Sequence, residues 1–88
     1  MVKILVLKYD KKVLISKIRE VGAEIGEPDC ELTDPVEFTG EGDWKDRLHR
    51  WPGQNITTDN KCMISSDAIL TLLDPAKELL QAYQKVIE

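Results

Sequence analysis

The sequence predicts a small single-domain α/β fold, of the α+β kind, in which helices pack on a sheet of three to four strands. Three observations predict it. The chain has 88 residues, which is the size of one domain. It opens with the apolar run Val2 to Lys8, in which Ile4, Leu5 and Val6 are consecutive, so both faces of this strand would be apolar. Later segments carry apolar residues at helical spacing, which indicates helices that cover a central strand.

The spacing of apolar residues divides the chain into four strands and four helices. Alternating or continuous apolar residues predict strands over residues 2–8, 31–39, 55–58 and 61–65. Apolar residues three and four positions apart predict helices over residues 11–22, 43–51, 66–73 and 75–87. The whole chain, residues 1–88, is then one α/β domain.

The first predicted helix depends on a single apolar stripe. Asp10 is a good N-cap, and the apolar residues that follow fall at i, i+4, i+7 and i+11, namely Leu14, Ile18, Val21 and Ile25. Gly22 or Gly26 supplies a residue that can stop the helix. This helix is expected to lie against the first strand.

Proline and turn residues set the other boundaries. Pro35 lacks the amide hydrogen that a central strand needs, so strand 31–39 is predicted to be an edge strand or to contain a bulge. Asp59 and Asn60 predict a hairpin turn between the strands 55–58 and 61–65. Pro75 occupies the first helical position of the last helix.

Charge and composition limit the class of protein. The net charge is −4, and it is unevenly distributed: residues 1–19 hold six basic residues and one acidic residue, whereas residues 20–46 hold ten acidic residues and one basic residue. No apolar run approaches the roughly 20 residues of a membrane span, and no signal-peptide pattern is present, so we expect a cytoplasmic protein. Cys30 and Cys62 are expected to be reduced thiols.

The most distinctive segment runs from Asp43 to Trp51. Trp44, Leu48 and Trp51 fall at i, i+4 and i+7, and the opposite side of the predicted helix presents basic residues. The candidate binding residues are Trp44, Lys45, Arg47, His49, Arg50 and Trp51. Because Trp and Arg are enriched at binding hot spots, the pattern is typical of a protein interface. The same cations and indoles could instead bind a phosphate-bearing or nucleic-acid ligand.

A second candidate site is acidic. The segment around Gly40 and Gly42 supplies hard oxygen ligands that could hold a divalent cation, namely Asp34, Glu37, Glu41, Asp43 and Asp46. The spacing differs from that of an EF-hand loop. A charged edge that resists pairing with other sheets is the alternative explanation.

Catalysis has weak support in the sequence. His49 is the only histidine, and no spacing connects it to a serine or cysteine nucleophile. Phosphate-loop, dinucleotide-binding and nucleophile-elbow motifs are absent, so no catalytic residue and no cofactor are predicted. We therefore predict a non-catalytic protein-binding or regulatory module that binds a protein partner or self-associates. The alternative is a ligand-binding domain that uses the acidic or the basic segment, while the acidic net charge disfavours nucleic acid and no membrane partner is expected.

Overall fold

Six antiparallel strands form one sheet in the computed structural model, and a C-terminal helix packs on one of its faces. The structure describes residues 1–40 and 42–88, without the side chains of Trp44 and Lys45. The strands are β1 (Val2–Leu7), β2 (Val13–Glu20), β3 (Cys30–Phe38), β4 (Leu48–Arg50), β5 (Lys61–Ile64) and β6 (Ile69–Leu73). The helices are the four-residue α1 (Trp44–Arg47) and α2 (Lys77–Ile87), and a 3-10 turn spans Ser66–Ala68.

The predicted fold of three to four strands packed by helices is therefore wrong, and the first predicted helix shows why. Residues 11–22 contain the strand β2, which pairs with β1 as a hairpin with Val6 opposite Val13. Residues i and i+4 lie on one face of a helix and also on one face of a strand, so Leu14 and Ile18 fit both. Only Val21 and Ile25 were specific to a helix, and both lie beyond the end of β2.

The same ambiguity explains two further errors. Residues 43–51 form the single turn of α1 followed by β4, and residues 66–73 form the 3-10 turn followed by β6. Residues 55–58 are not a strand: the N–H groups of Ile56 and Thr57 both donate to the carbonyl of Gly53, at 3.0 and 3.1 Å. The predicted hairpin is absent, and β5 pairs with β3 instead. The helix predicted over 75–87 is present as α2, but it begins at Lys77 with Ala76 as its N-cap, so Pro75 precedes the helix and does not occupy its first position.

The strand order places β1, β2 and β3 inside the sheet. The order is β4-β3-β2-β1-β6, and β5 pairs with β3 beside β4. The edge position considered for residues 31–39 is wrong, whereas the bulge considered as its alternative is present. Lys17 pairs with Thr33 and Ile15 pairs with Val36, so Asp34 and Pro35 together lie opposite one residue of β2. Pro35 also lies where the pairing with β5 has ended and the pairing with β4 has yet to begin.

The connection from β5 to β6 requires a strongly curled sheet. The strands β5 and β6 are separated by β3, β2 and β1. In a flat sheet these four inter-strand spacings would put β5 and β6 about 19 Å apart. The path from Ile64 to Ile69 is five Cα steps and reaches about 17 Å even when fully extended. Because a 3-10 turn shortens this path further, the sheet must curl so that its two sides approach. The Asp29 carboxylate fixes the turn by accepting hydrogen bonds from the N–H (2.7 Å) and Oγ (2.8 Å) of Ser66.

Both faces of the sheet carry apolar clusters. The face under α2 buries Ile15, Val36, Leu48, Leu79 and Tyr83. The inner face of the curl buries Leu5, Leu7, Leu14 and Leu32, with Trp51 packed at its margin. As the N-terminal run predicted, β1 lies inside the sheet, paired on its two sides with β2 and β6.

Candidate functional site

The bulge in β3 is the centre of a polar cluster. Asp34 has a left-handed backbone conformation, with φ of 53°, and its side chain is 14% exposed. The carboxylate accepts hydrogen bonds from Lys17 Nζ (3.3 Å), Arg50 Nη1 (3.3 Å) and Asn60 Nδ2 (3.4 Å). Asp tolerates this backbone region better than most residues because its short side chain bonds locally. We call Lys17, Asp34, Arg50, Asn60 and Tyr83 the Asp34 junction.

Main-chain contacts connect the Asp34 junction to the rest of the fold. The Tyr83 hydroxyl donates to the carbonyl of Asp34 at 2.8 Å, which attaches α2 to the bulge. The N–H of Asp34 donates to the carbonyl of Asn60 at 2.6 Å. Arg50 Nη2 donates to the carbonyl of Ile87 at 3.3 Å, where a cation is favoured by the C-terminal end of the α2 dipole. The junction thus joins β2, β3, β4, α2 and the segment before β5.

The electrostatics of the junction follow from these contacts. Burial alone would raise the pKa of Asp34, but hydrogen bonds from Arg50, Lys17 and Asn60 together outweigh it, so the pKa of the carboxyl is lowered. Burial raises the pKa of Tyr83 to about 12, and the nearby Asp34 charge acts in the same direction. At neutral pH the junction therefore contains an ionised carboxylate and a neutral phenol.

A polar pocket of about 430 Å³ opens beside the junction, between the end of β4 and the segment that precedes β5. Its lining includes Asp34, Arg50, Trp51, Gln54, Thr58 and Asp59. The Asp34 carboxylate and the Arg50 guanidinium bond to each other, and Arg50 also bonds to the main chain. Their geometry therefore supports a structural role at the place where β3 changes partners.

The predicted basic face does not form, because no helix spans residues 43–51. Arg47 ends α1 and places its guanidinium carbon 3.9 Å from the ring centroid of Phe38. His49 is exposed, and its Nε2 lies 3.1 Å from the carbonyl oxygen of Asp46. Arg50 belongs to the Asp34 junction, and Trp51 packs against the inner cluster. The side chains of the remaining two candidates, Trp44 and Lys45, lie outside the described structure, so a binding role for this segment stays a prediction.

The acidic candidates are distributed over three places. Asp34 is in the junction, Glu37 lies in β3 opposite His49, and Asp43 and Asp46 are exposed at α1. Glu41 lies outside the described residues. Within residues 1–40 and 42–88, no three acidic, histidine or cysteine side chains are grouped so that they could hold a metal ion. Cation binding here also stays a prediction.

The two cysteines are free thiols near the inner face of the sheet. Cys30 is buried and Cys62 is half-buried, and burial raises the pKa of each thiol. Leu32 pairs with Cys62 and Ile64 pairs with Cys30 along the β3–β5 ladder. A raised pKa keeps both thiols protonated at neutral pH, which makes them poor nucleophiles.

An exposed apolar surface lies at the edge of the sheet that is formed by β6. Leu70, Leu72 and Leu73 of β6 are 52%, 47% and 50% exposed, and Met1 is 85% exposed. Beside them an apolar groove of about 720 Å³ runs along the inner face, with Ile18, Cys30 and Ile69 among its lining residues. We call Met1, Leu70, Leu72, Leu73 and the groove the β6 surface. The sequence reasoning missed it because residues 66–73 were interpreted as a buried helix.

The fold and the sites define a class: a small antiparallel β-sheet domain with one packed C-terminal helix and an apolar strand at one edge. The chain belongs to the protein family described as Family of unknown function (DUF6561), which matches residues 1–88. No curated protein matches the chain significantly. Among the described residues, no helix is long and apolar enough to cross a membrane.

Proposed function

We propose that this protein is a non-catalytic protein-binding module and that the β6 surface is its contact surface. The observation that carries the proposal is the composition of β6. The strand pairs with β1 on one side, and within the described residues no strand pairs with its other side. Four of its five residues are aliphatic and none is charged. Edge strands are usually shielded by charged residues, which oppose pairing with another chain.

The other side of the sheet provides a contrast within the same molecule. There β4 has the exposed polar residue His49, and β5 begins with the exposed Lys61, while Arg50 is engaged in the Asp34 junction. Charged side chains of this kind make an edge unfavourable for association. Met63 of β5 is 46% exposed on that side, but it is a single residue, whereas β6 exposes three leucines in one strand. A group of exposed apolar residues of this kind is typical of a surface that another protein covers.

The proposal is tested by crosslinking in cells of the source organism. A photoreactive amino acid is placed at Thr71, which is exposed on β6, and in a matched control at Ile25, which is fully exposed in the loop between β2 and β3. We expect discrete protein adducts from position 71 that are absent from position 25. These adducts should decrease when Leu70→Ser and Leu72→Ser are added, because the replacements remove apolar area but leave the backbone unchanged.

Mass spectrometry of the adducts identifies what covers β6. If position 71 yields no more adducts than position 25, or if the two serine replacements leave the adducts unchanged, the β6 surface is not a contact surface. Circular dichroism of each purified variant verifies that the sheet is retained.

A further inference from the structure

The free side of β6 presents apolar side chains on both faces of the sheet. Leu72 lies opposite Leu5 of β1 and therefore belongs to the inner face, while Leu73 lies opposite Ile4 and belongs to the face under α2. A strand added here would have leucine neighbours on both faces. The strand that fits must be short, apolar on both faces and uncharged, and β6 itself has this composition.

Antiparallel pairing of β6 with the β6 strand of a second copy satisfies this requirement. Such a contact is isologous, and a two-fold axis at Leu72 would place Leu72 opposite Leu72 of the second copy and Leu73 opposite Thr71 of the second copy. A bulge at Leu70 interrupts the strand, and Pro75 follows it. Both features confine regular pairing to the middle of the strand. The contact closes at two copies because each β6 edge is occupied by the other.

The charges around β6 are compatible with this arrangement. Near the start of the strand lie Lys8, whose N–H donates to the carbonyl of Ala68 at 2.7 Å, and Asp67. At its end lies Asp74, which forms an ion pair with Lys3. Antiparallel pairing brings the start of one strand to the end of the other, so two charges of each sign meet at each end. The contact is locally neutral although each chain carries a net charge of −4.

The apolar area reaches what a weak specific dimer needs. At about 0.8 kcal/mol per buried CH₂ and about 25 cal/mol per Å², a fully exposed leucine or methionine side chain contributes about 130 Å². With their observed exposures, Leu70, Leu72, Leu73 and Met1 together present about 300 Å² per copy. If the contact covered all of this area, an apolar share of about 60% would correspond to at most about 1,000 Å² of total interface, which is the lower limit for a specific contact.

We therefore infer that the partner that covers the β6 surface is a second copy of this chain, paired antiparallel through β6. The inference rests on the proposed function and names its partner. The two curled sheets then join into one continuous sheet, and the leucines of the two strands cover one another.

Sedimentation equilibrium of the purified full chain tests the inference. The wild type is compared from about 1 µM to about 1 mM with Leu72→Lys and with the control Ile25→Lys, which adds the same charge at a distant exposed position. We expect the average mass of the wild type and of Ile25→Lys to rise toward twice the monomer mass across this range. Leu72→Lys should remain a monomer throughout, because two lysines would face each other at the axis.

Two results decide against the inference. A wild type that is monomeric at the highest concentration overturns it, and so does a Leu72→Lys variant that associates like the wild type. If Leu72→Lys fails to fold, Thr71→Lys at the neighbouring exposed position is judged by the same criterion. Crosslinks from position 71 to a different protein, together with a monomeric wild type, would reject the second copy and retain the proposed function.

Discussion

Replacement of Asp34 separates two contributions to the free energy of unfolding, one from the hydrogen bonds of its carboxylate and one from its left-handed backbone conformation. Asp34→Ala removes a carboxylate that accepts from Lys17, Arg50 and Asn60, and it forces a β-carbon without a local hydrogen bond to remain at φ of 53°. The left-handed conformation costs about 1 kcal/mol for such a residue. Loss of charge-assisted hydrogen bonds of this length, at partly exposed donors, adds about 1 to 2 kcal/mol. The expected destabilisation is therefore about 2 to 3 kcal/mol, a large part of the stability of a small domain.

Two further variants make the reasoning refutable. Asp34→Gly also removes the carboxylate but adopts positive φ freely, so it should be more stable than Asp34→Ala by about 1 kcal/mol. Asp34→Asn retains one acceptor and the tolerance for this backbone, and should lose about 1 kcal/mol. Urea unfolding of all three variants, with linear extrapolation, measures these differences. Equal stability of the Ala and Gly variants would refute the backbone contribution, and losses below about 0.5 kcal/mol in all three would refute the junction as a stabilising centre.

Three other predictions concern titration and cations. In a Tyr9→Phe variant Tyr83 is the only tyrosine, and near-ultraviolet absorbance should show its ionisation near the raised pKa of about 12. Because the folded state binds that proton more tightly, the contribution of Tyr83 to stability should be fully present below about pH 10 and should be lost as the pH rises to about 12. Ionisation of Tyr83 in the folded protein at the ordinary tyrosine pKa would contradict its burial. The N–H and Oγ of Ser66 lower the pKa of Asp29, so this carboxylate stabilises the fold above about pH 4 and ceases to do so as pH falls through the folded value. Asp29→Asn should flatten the acid side of the stability curve measured by urea unfolding, and an unchanged curve would mean that the contact with Ser66 is absent in solution. Since Asp34 already accepts hydrogen bonds from two cationic side chains, millimolar Ca²⁺ or Mg²⁺ should leave the melting temperature unchanged, and a dose-dependent rise would instead reveal a cation site.

Part of this fold follows from local pattern, and part depends on pairing between distant segments. The sequence predicted β1 as an interior strand because its apolar residues are continuous, and it predicted α2 because Pro75 and a long amphipathic stripe agree. It failed for β2 and β6, where apolar residues inside the strands, Leu14 and Ile18 in β2 and Ile69 and Leu73 in β6, are four apart and fit either structure. In the first half of β2 the consecutive residues Leu14, Ile15 and Ser16 are all buried, so the polar alternation that would have identified a strand is missing there.

The contacts that the candidate residues make could not be predicted from the sequence, for a physical reason. Asp34 was selected as a metal ligand, yet its partners come from β2, β4 and the segment before β5, which only the folded chain brings together. Trp51 was selected as an interface residue because helical spacing placed it on one apolar stripe with Trp44 and Leu48, and because Trp is enriched at binding hot spots. In the structure it packs against the inner cluster. The β6 surface had a signal in the uncharged run Ile69 to Leu73, which would have been informative once the segment was recognised as a strand.

The pairing of β1 with β6 has a consequence for the order of folding. Ile4 pairs with Leu73, nearly the whole chain away, whereas β1 pairs with β2 across a short turn. Closing so long a loop loses chain entropy before any contact compensates for it, so the local strands β1 to β3 should associate first. Until β6 arrives, one side of β1 has unpaired amides and the inner leucines are uncovered. The nascent chain is therefore most vulnerable to wrong association at this stage, and pulse-labelled hydrogen exchange should find the β1 amides that face β6 among the last to be protected.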